Sequence, residues 1–151
     1  MPCWHSKGAT DLKENYGMIQ VYTGTGKGKT TAALGVALRA IGYGAKVTMI
    51  SFMKDDPGYG EVRACRALPG FTMKQMGRDA FVNFRHPDPI DVQMAKEAWA
   101  EAERVILSGE ADLLILDEIN LAMSKGVIDT KLVVEFLKAN RNHTELMFTG
   151  R

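Results

Sequence analysis

The segment "MIQVYT" (18–23) runs without a spacer into "GTGKGKTT" (24–31), and that stretch into "AALGVALRAIGYG" (32–44). Few junctions restrict a fold so tightly. Ile19, Val21 and Thr23 share one face of an extended segment, so the first piece reads as a strand. Ala33, Leu34, Ala37, Leu38 and Ile41 recur at helical spacing, and Gly42 or Gly44 suits the left-handed position that ends a helix. Between strand and helix, Gly24, Gly26 and Gly28 let the backbone fold back so that successive N–H groups form a nest for phosphate oxygens. A helix opening near Lys29 adds its free N–H groups and the positive end of its dipole. Lys29 is placed to reach terminal phosphates as a point charge, the Thr30 hydroxyl to ligate Mg²⁺, and Thr31 to add a further hydrogen bond. The competing reading, a glycine-rich hairpin or basic surface loop, leaves the flanking strand and helix unexplained.

The stretch departs from the common pattern G-x-x-x-x-G-K-[ST], because Thr23 stands where the first glycine belongs. A β-branched residue resists positive φ, so strand conformation is expected to run one residue further before the loop turns. Lys27 then lies inside the loop and places a second cation near the phosphates. That arrangement suits a triphosphate stabilised as a whole, for instance as a leaving group; Lys27 turned to solvent is the alternative.

Further along, "KVTMISFMK" reads as a strand apolar nearly throughout, as in a buried parallel sheet. A short helix around Val62–Leu68 closes at Pro69-Gly70, and "FTMKQMG" is a third strand. "RDAFVNFRHPDP" reads as a loop. Asp88 and Pro89 supply a cap and first position for a long helix with the buried stripe Met94, Ala98, Ala102, Val105 and Ile106, ended by Gly109. "ADLLILDE" is a buried strand, followed by a short helix near Asp129–Ala139 and a last strand "TELMFTG". Strands alternating with helices give an α/β fold with a mostly parallel sheet and helices on both faces. One domain spans 18–151, large enough for a sizeable core. Residues 1–17 lack any period and read as an arm, expected to be disordered. The chain stops directly after its last strand, so a C-terminal tail is expected to be missing.

Several function classes are excluded. Charged residues make up 25% with a formal net charge of +1, which gives neither a polybasic nucleic-acid tail nor an acidic arm. No apolar run reaches the length of a membrane span and no secretory leader is visible, which points to the cytoplasm. Cys3 and Cys65 form neither a disulfide framework nor a zinc knuckle, and His5, His86 and His143 have no metal-ligand spacing.

"LLILDEI" (113–119) supplies the second half of a nucleotide site. Four buried apolar residues followed by Asp117 and Glu118 place carboxylates at the carboxyl edge of a strand, where open α/β sheets bind ligands. Asp117 or Glu118 ligates Mg²⁺ directly or through water; in an ATPase Glu118 would instead orient an attacking water.

Together with "SFMK", "GF" at 70–71 and the terminal "FTGR", the strings "VYTGTGKGKTTAALG" and "LLILDEI" resemble the P-loop-type ATP:cob(I)alamin (corrinoid) adenosyltransferases. The resemblance runs from about Met18 to Arg151 in the family's order, and threonine in place of the first glycine is that family's own form of the loop. It implies a RecA-like P-loop fold, a homodimer, and ATP bound with Mg²⁺, its phosphates reversed relative to most P-loop proteins. The implied reaction moves the 5′-deoxyadenosyl group of ATP to Co(I) of a corrinoid (cobalamin, cobinamide or cobyrinic acid a,c-diamide) and releases triphosphate. By position, Thr23, Gly24, Thr25, Gly26, Lys27, Gly28, Lys29, Thr30 and Thr31 would hold ATP, and Thr30 with Glu118, and Asp117 beside it, would hold Mg²⁺. Co(I) is already a strong nucleophile, so no general base is needed; Lys29 and Lys27 would stabilise the departing triphosphate. A reductase would supply Co(I). Phe71, Met73, Phe81 and Phe84 lie in a segment that could form an apolar wall over the cobalt, although core packing is the simpler role for each. Relatives often carry an aromatic residue where Met73 stands. The residues alone also admit a P-loop phosphotransferase or ATPase, and a nucleotide-binding switch without transferase chemistry.

Overall fold

The computed structural model describes residues 16–53, 56–78, 82–83 and 85–151. Its elements follow in chain order: β1 (Ile19–Tyr22), α1 (Lys29–Gly42), β2 (Val47–Phe52), α2 (Gly60–Arg66), β3 (Phe71–Met76), α3 (Pro89–Ser108), β4 (Leu113–Asp117), α4 (Ile119–Ser124), α5 (Thr130–Ala139) and β5 (Glu145–Thr149). The five strands form one parallel sheet in the order β1-β5-β4-β2-β3. β5, the last strand in sequence, is thus inserted between β1 and the acidic strand β4. This is the α/β architecture read from the sequence, and it is a RecA-like P-loop fold. No described helix is long and apolar enough to cross a membrane.

The sheet separates two cores. On one face α1 sets Ala33, Ala37 and Ala40 against Val47, Met49, Leu113, Ile115 and Met147. On the other, α3, α4 and α5 cover Ile50, Phe52, Leu114, Leu116, Leu146 and Phe148. Central strands β2, β4 and β5 are buried at every position because helices cover both sides. Each wholly buried leucine or isoleucine there contributes about 2 kcal/mol relative to exposure.

Helix faces deviate from the sequence reading in two places. In α1, Leu38 is 58% exposed and Ala40 is buried instead; a face of three alanines lets the helix backbone lie close to the sheet. In α3 the buried line runs through Asp91, Ala95, Ala98, Trp99, Ala102, Val105 and Ile106, while Met94 is only half-buried. Trp99 meets Phe136 of α5 edge-on, with ring centroids 5.7 Å apart. Asp88 and Pro89 do open α3, but the Asp88 side chain makes no capping bond and pairs with Arg78. Gly44 and Gly109 take the left-handed conformation that follows α1 and α3. α2 begins at Gly60, two residues before its expected start. The short α4 was not read from the sequence at all, because "INLAMS" continues an apolar strand without any helix-start signal.

Of the N-terminal arm, only Tyr16 and Gly17 are described. Gly17 N–H donates to the Asn142 carbonyl at 2.9 Å and its own carbonyl accepts from Arg141 at 2.6 Å. Residues 1–15, and with them most of the expected arm, lie outside the described residues.

Candidate nucleotide site

The site lies at the carboxyl edge of the sheet, where β1, β4 and β5 end together. The β1 ladder stops at Tyr22, one residue short of the expectation that strand conformation would include Thr23. The reason lies in what Tyr22 does: its carbonyl accepts from Gly150 N–H at 3.1 Å and from the Asn120 side chain at 3.2 Å, which closes the strand end. Residues 23–28 then form an exposed loop, with positive φ at Gly24 (133°) and Gly28 (98°). Gly28 immediately precedes α1, and its left-handed backbone turns the chain into the helix at a place where a side chain would strain it. Thr23, Thr25, Gly26 and Lys27 are exposed on this loop, and Thr31 is exposed on the first turn of α1.

Lys29 is the first helical residue. Its Nζ folds back over the loop and donates to the carbonyls of Gly24 at 3.0 Å and Gly26 at 2.7 Å. The ammonium therefore occupies the centre of the ring, with α1's free N–H groups behind it, an arrangement suited to phosphate oxygens.

The neighbouring residue links loop to sheet. Thr30 Oγ1 donates to Asp117 Oδ1 at 2.8 Å, and Thr149 Oγ1 donates to the same oxygen at 2.6 Å. Asp117 is 1% exposed. Glu118 follows in the left-handed region (φ 65°), which a residue with a side chain seldom adopts. Its N–H donates to Thr149 Oγ1 at 3.2 Å. Met53, just past β2, is the other non-glycine residue with positive φ among those described. Both therefore stand at the carboxyl edge, where backbone strain often marks function.

Strand register extends the pattern. Tyr22 pairs with Thr149, and Ser51 pairs with both Asp117 and Gln75. The row beneath, Met147, Ile115, Met49 and Met73, is apolar. One pleat period thus changes the α1 face of the sheet from hydrocarbon to polar groups directly below the loop.

Of the sequence-predicted residues, the fold brings together the loop 23–31, Asp117 and Glu118. It does not bring Phe71 or Met73 to them. Phe71 stands opposite Val47 at the amino end of β3, and both side chains pack against the α1-side core. Phe81 and Phe84 lie outside the described residues. Thr149, Ser51 and Asn120 were missed as site residues; "FTGR" marked Thr149's position without disclosing its bonds, which depend on β5 lying beside β4.

Next to this edge, Arg78 ties the chain after β3 to the start of α3. Its Nε and Nη2 reach the two carboxylate oxygens of Asp91, each at 2.7 Å, and Nη2 also pairs with Asp88. The Arg78 hydrogen bonds hold the Asp91 carboxyl below its ordinary range despite burial.

Residues 15–151 match the family described as ATP:corrinoid adenosyltransferase BtuR/CobO/CobP. Among similar proteins, a corrinoid adenosyltransferase of Escherichia coli is 31% identical over 147 residues, covering 92% of this chain and 70% of its own. One of Pseudomonas aeruginosa is 28% identical over 139 residues, covering 92% and 68%. An uncharacterized protein of Nostoc sp. is 36% identical over 144 residues, or 88% of this chain and 38% of its own length. The chain thus spans roughly two-fifths to seven-tenths of these relatives. With the match covering every strand and helix described above, the chain belongs to the ATP:corrinoid adenosyltransferases, a family of enzymes.

Proposed function

We propose that this chain transfers the 5′-deoxyadenosyl group of ATP to Co(I) of a corrinoid and releases triphosphate. The observation that carries this reading is the Thr30–Asp117 hydrogen bond, which joins a loop ringed around Lys29 to an acidic strand end. In the reaction Co(I) gives an electron pair to the ribose C5′, the C5′–O bond breaks, and its electrons leave on the triphosphate. Cobalt becomes Co(III) in the Co–C bond. The protein need not activate a nucleophile; it has to align C5′ and to stabilise charge that grows on the departing phosphates. Lys29 and the amides of 24–30 serve that purpose, with Lys27 on the open side of the loop.

The donors at the site fit Mg²⁺. That ion takes hard oxygen ligands, commonly one or two carboxylates together with substrate phosphates. Thr30 and Asp117 already place their oxygens side by side, and Glu118 follows directly. Thr30 and Glu118, with Asp117 beside them, would hold the ion, which when bound neutralises phosphate charge. A homodimer and a reductase that delivers Co(I) complete the reading. The corrinoid has to approach the open side of the loop, so the residues that face it are sought at the carboxyl edge rather than at Phe71.

The test is an anaerobic assay with ATP, Mg²⁺ and chemically reduced cobalamin, following the spectral change on Co–C bond formation and identifying the phosphate product. Triphosphate is expected; ADP with phosphate would make the chain a phosphotransferase or ATPase. Lys29→Ala is expected to lower the rate by about 100-fold or more while leaving the exposed loop's surroundings folded. Unchanged turnover in that variant counts against the assigned loop.

A further inference from the structure

We propose that Thr149 is a positioning residue: its single hydroxyl sets both the carboxylate of Asp117 and the left-handed turn that aims Glu118. This rests on the metal and nucleotide reading of the same site. Thr149 is fully buried at the end of β5. Its Oγ1 donates to Asp117 Oδ1 at 2.6 Å and accepts from Glu118 N–H at 3.2 Å. A hydroxyl has one proton and two lone pairs, so both bonds form at once. Asp117 Oδ1 also accepts from Thr30. The result is one continuous chain: Glu118 amide to Thr149 hydroxyl to Asp117 carboxylate, met from the other side by the first turn of α1.

Each link has a geometric consequence. Glu118 holds φ 65° without the freedom of glycine, so its turn needs outside support. The Thr149 oxygen provides it by fixing where the Glu118 amide points, and so the direction in which the side chain leaves the turn. Gly150 makes room for the outcome. A Cβ there would stand 3.2 Å from Glu118 Oε2, 3.2 Å from Glu118 Cα and 3.1 Å from the Leu121 nitrogen, at a φ of 124°. The Asn120 amide closes the unit by donating to the Tyr22 and Gly150 carbonyls at 3.2 and 3.3 Å. Thr149 and Gly150 thus act on the acidic pair from a neighbouring strand, without needing to touch nucleotide or corrinoid themselves.

Valine has nearly the same shape as threonine and no hydroxyl, so Thr149→Val separates the bonds from the packing. The experiment measures ATP binding by calorimetry to the full chain over a Mg²⁺ series, beside thermal unfolding and the transfer assay. The expected result is a half-saturating Mg²⁺ concentration raised by about 10-fold in Thr149→Val, the scale seen when outer-sphere partners are lost. ATP affinity at saturating Mg²⁺ should stay close to wild type, and Thr149→Ser, which keeps the hydroxyl, should restore the normal requirement. Thr149→Val with the wild-type Mg²⁺ dependence overturns the proposal. So does Thr149→Ser failing as badly as valine, because shape and not the hydroxyl would then matter. If the valine variant does not fold, Thr149→Cys decides: its weaker donor should give a raised requirement, and a normal one overturns the proposal. The wild-type arm isolates the underlying reading. Wild type whose ATP binding ignores Mg²⁺ removes that reading and this inference together; a Mg²⁺-dependent wild type with an indifferent valine variant removes the inference alone.

Discussion

Asp91 and Asp117 are both buried carboxylates, 4% and 1% exposed, and donors of different chemistry hold them. Asp91 faces a guanidinium, Arg78, which takes both its oxygens in a fork. Asp117 takes hydrogen bonds on one oxygen from the hydroxyls of Thr30 and Thr149. A guanidinium cancels the charge it binds and fixes the strand-to-helix connection it spans. The two hydroxyls fix the direction of the Asp117 carboxylate. The first arrangement anchors a strand-to-helix connection, and the second ties the first turn of α1 and the end of β5 to one acidic strand end. Burial alone does not distinguish them; the chemistry of the donor does.

The sharpest way to break this contrast is to delete each carboxylate. Asp117→Ala should lower adenosyl transfer by about 100-fold, on the scale of removing a preorganised transition-state contact, with the melting temperature little changed. Asp91→Ala should do the reverse, with transfer at low temperature kept and the melting temperature lowered by on the order of 5 °C. Equal thermal losses in both variants would mean that the two sites do not differ in kind.

Glu118→Gln should act more mildly, raising the Mg²⁺ requirement of transfer by about 10-fold, with the rate recovered by excess metal. A rate depressed at every metal concentration would reassign Glu118 to a role other than ligand.

The smallest effect concerns acid. The ordinary value for Asp91 is 3.8, and its folded value is lower because of the Arg78 hydrogen bonds. Its contribution is therefore complete above that ordinary value and is lost as pH falls through the folded one. Glu101 behaves alike: hydrogen bonds from Arg104 and then Lys74 hold it at about 2 from an ordinary 4.5. Urea unfolding between neutral pH and strongly acid conditions should show stability falling below about pH 4, and Asp91→Asn should flatten that slope. An unaltered slope would remove Asp91 from the anchor's energetics.

Much of the site was legible because its parts are local. The strand, glycines and helix of 18–44 are consecutive, and their periodicities change where the backbone does. "LLILDEI" could likewise be read from an apolar run that ends in acids. Other features depend on partners far away in sequence. Leu38 fits a helical stripe by spacing, yet the face that meets the sheet is the alanine face, because close approach decides which side wins. Phe71 belongs to the segment expected to wall the corrinoid, but strand register carries it to the opposite end of the sheet from the loop. α4 was invisible since its start is set by a left-handed glutamate, a residue type that gives no such signal.

What the sequence determined by itself is the α/β alternation, the glycine loop with Lys29 and Thr30 between strand and helix, and the acidic strand end, because each is written in neighbouring residues. Only the tertiary structure decided that β5 lies between β1 and β4, and hence that a threonine from the chain's last strand holds Asp117 and the turn at Glu118. Hydrogen bonds act over about 3 Å, whereas Thr30, Asp117 and Thr149 are brought within that distance only once a parallel sheet has aligned its carboxyl ends.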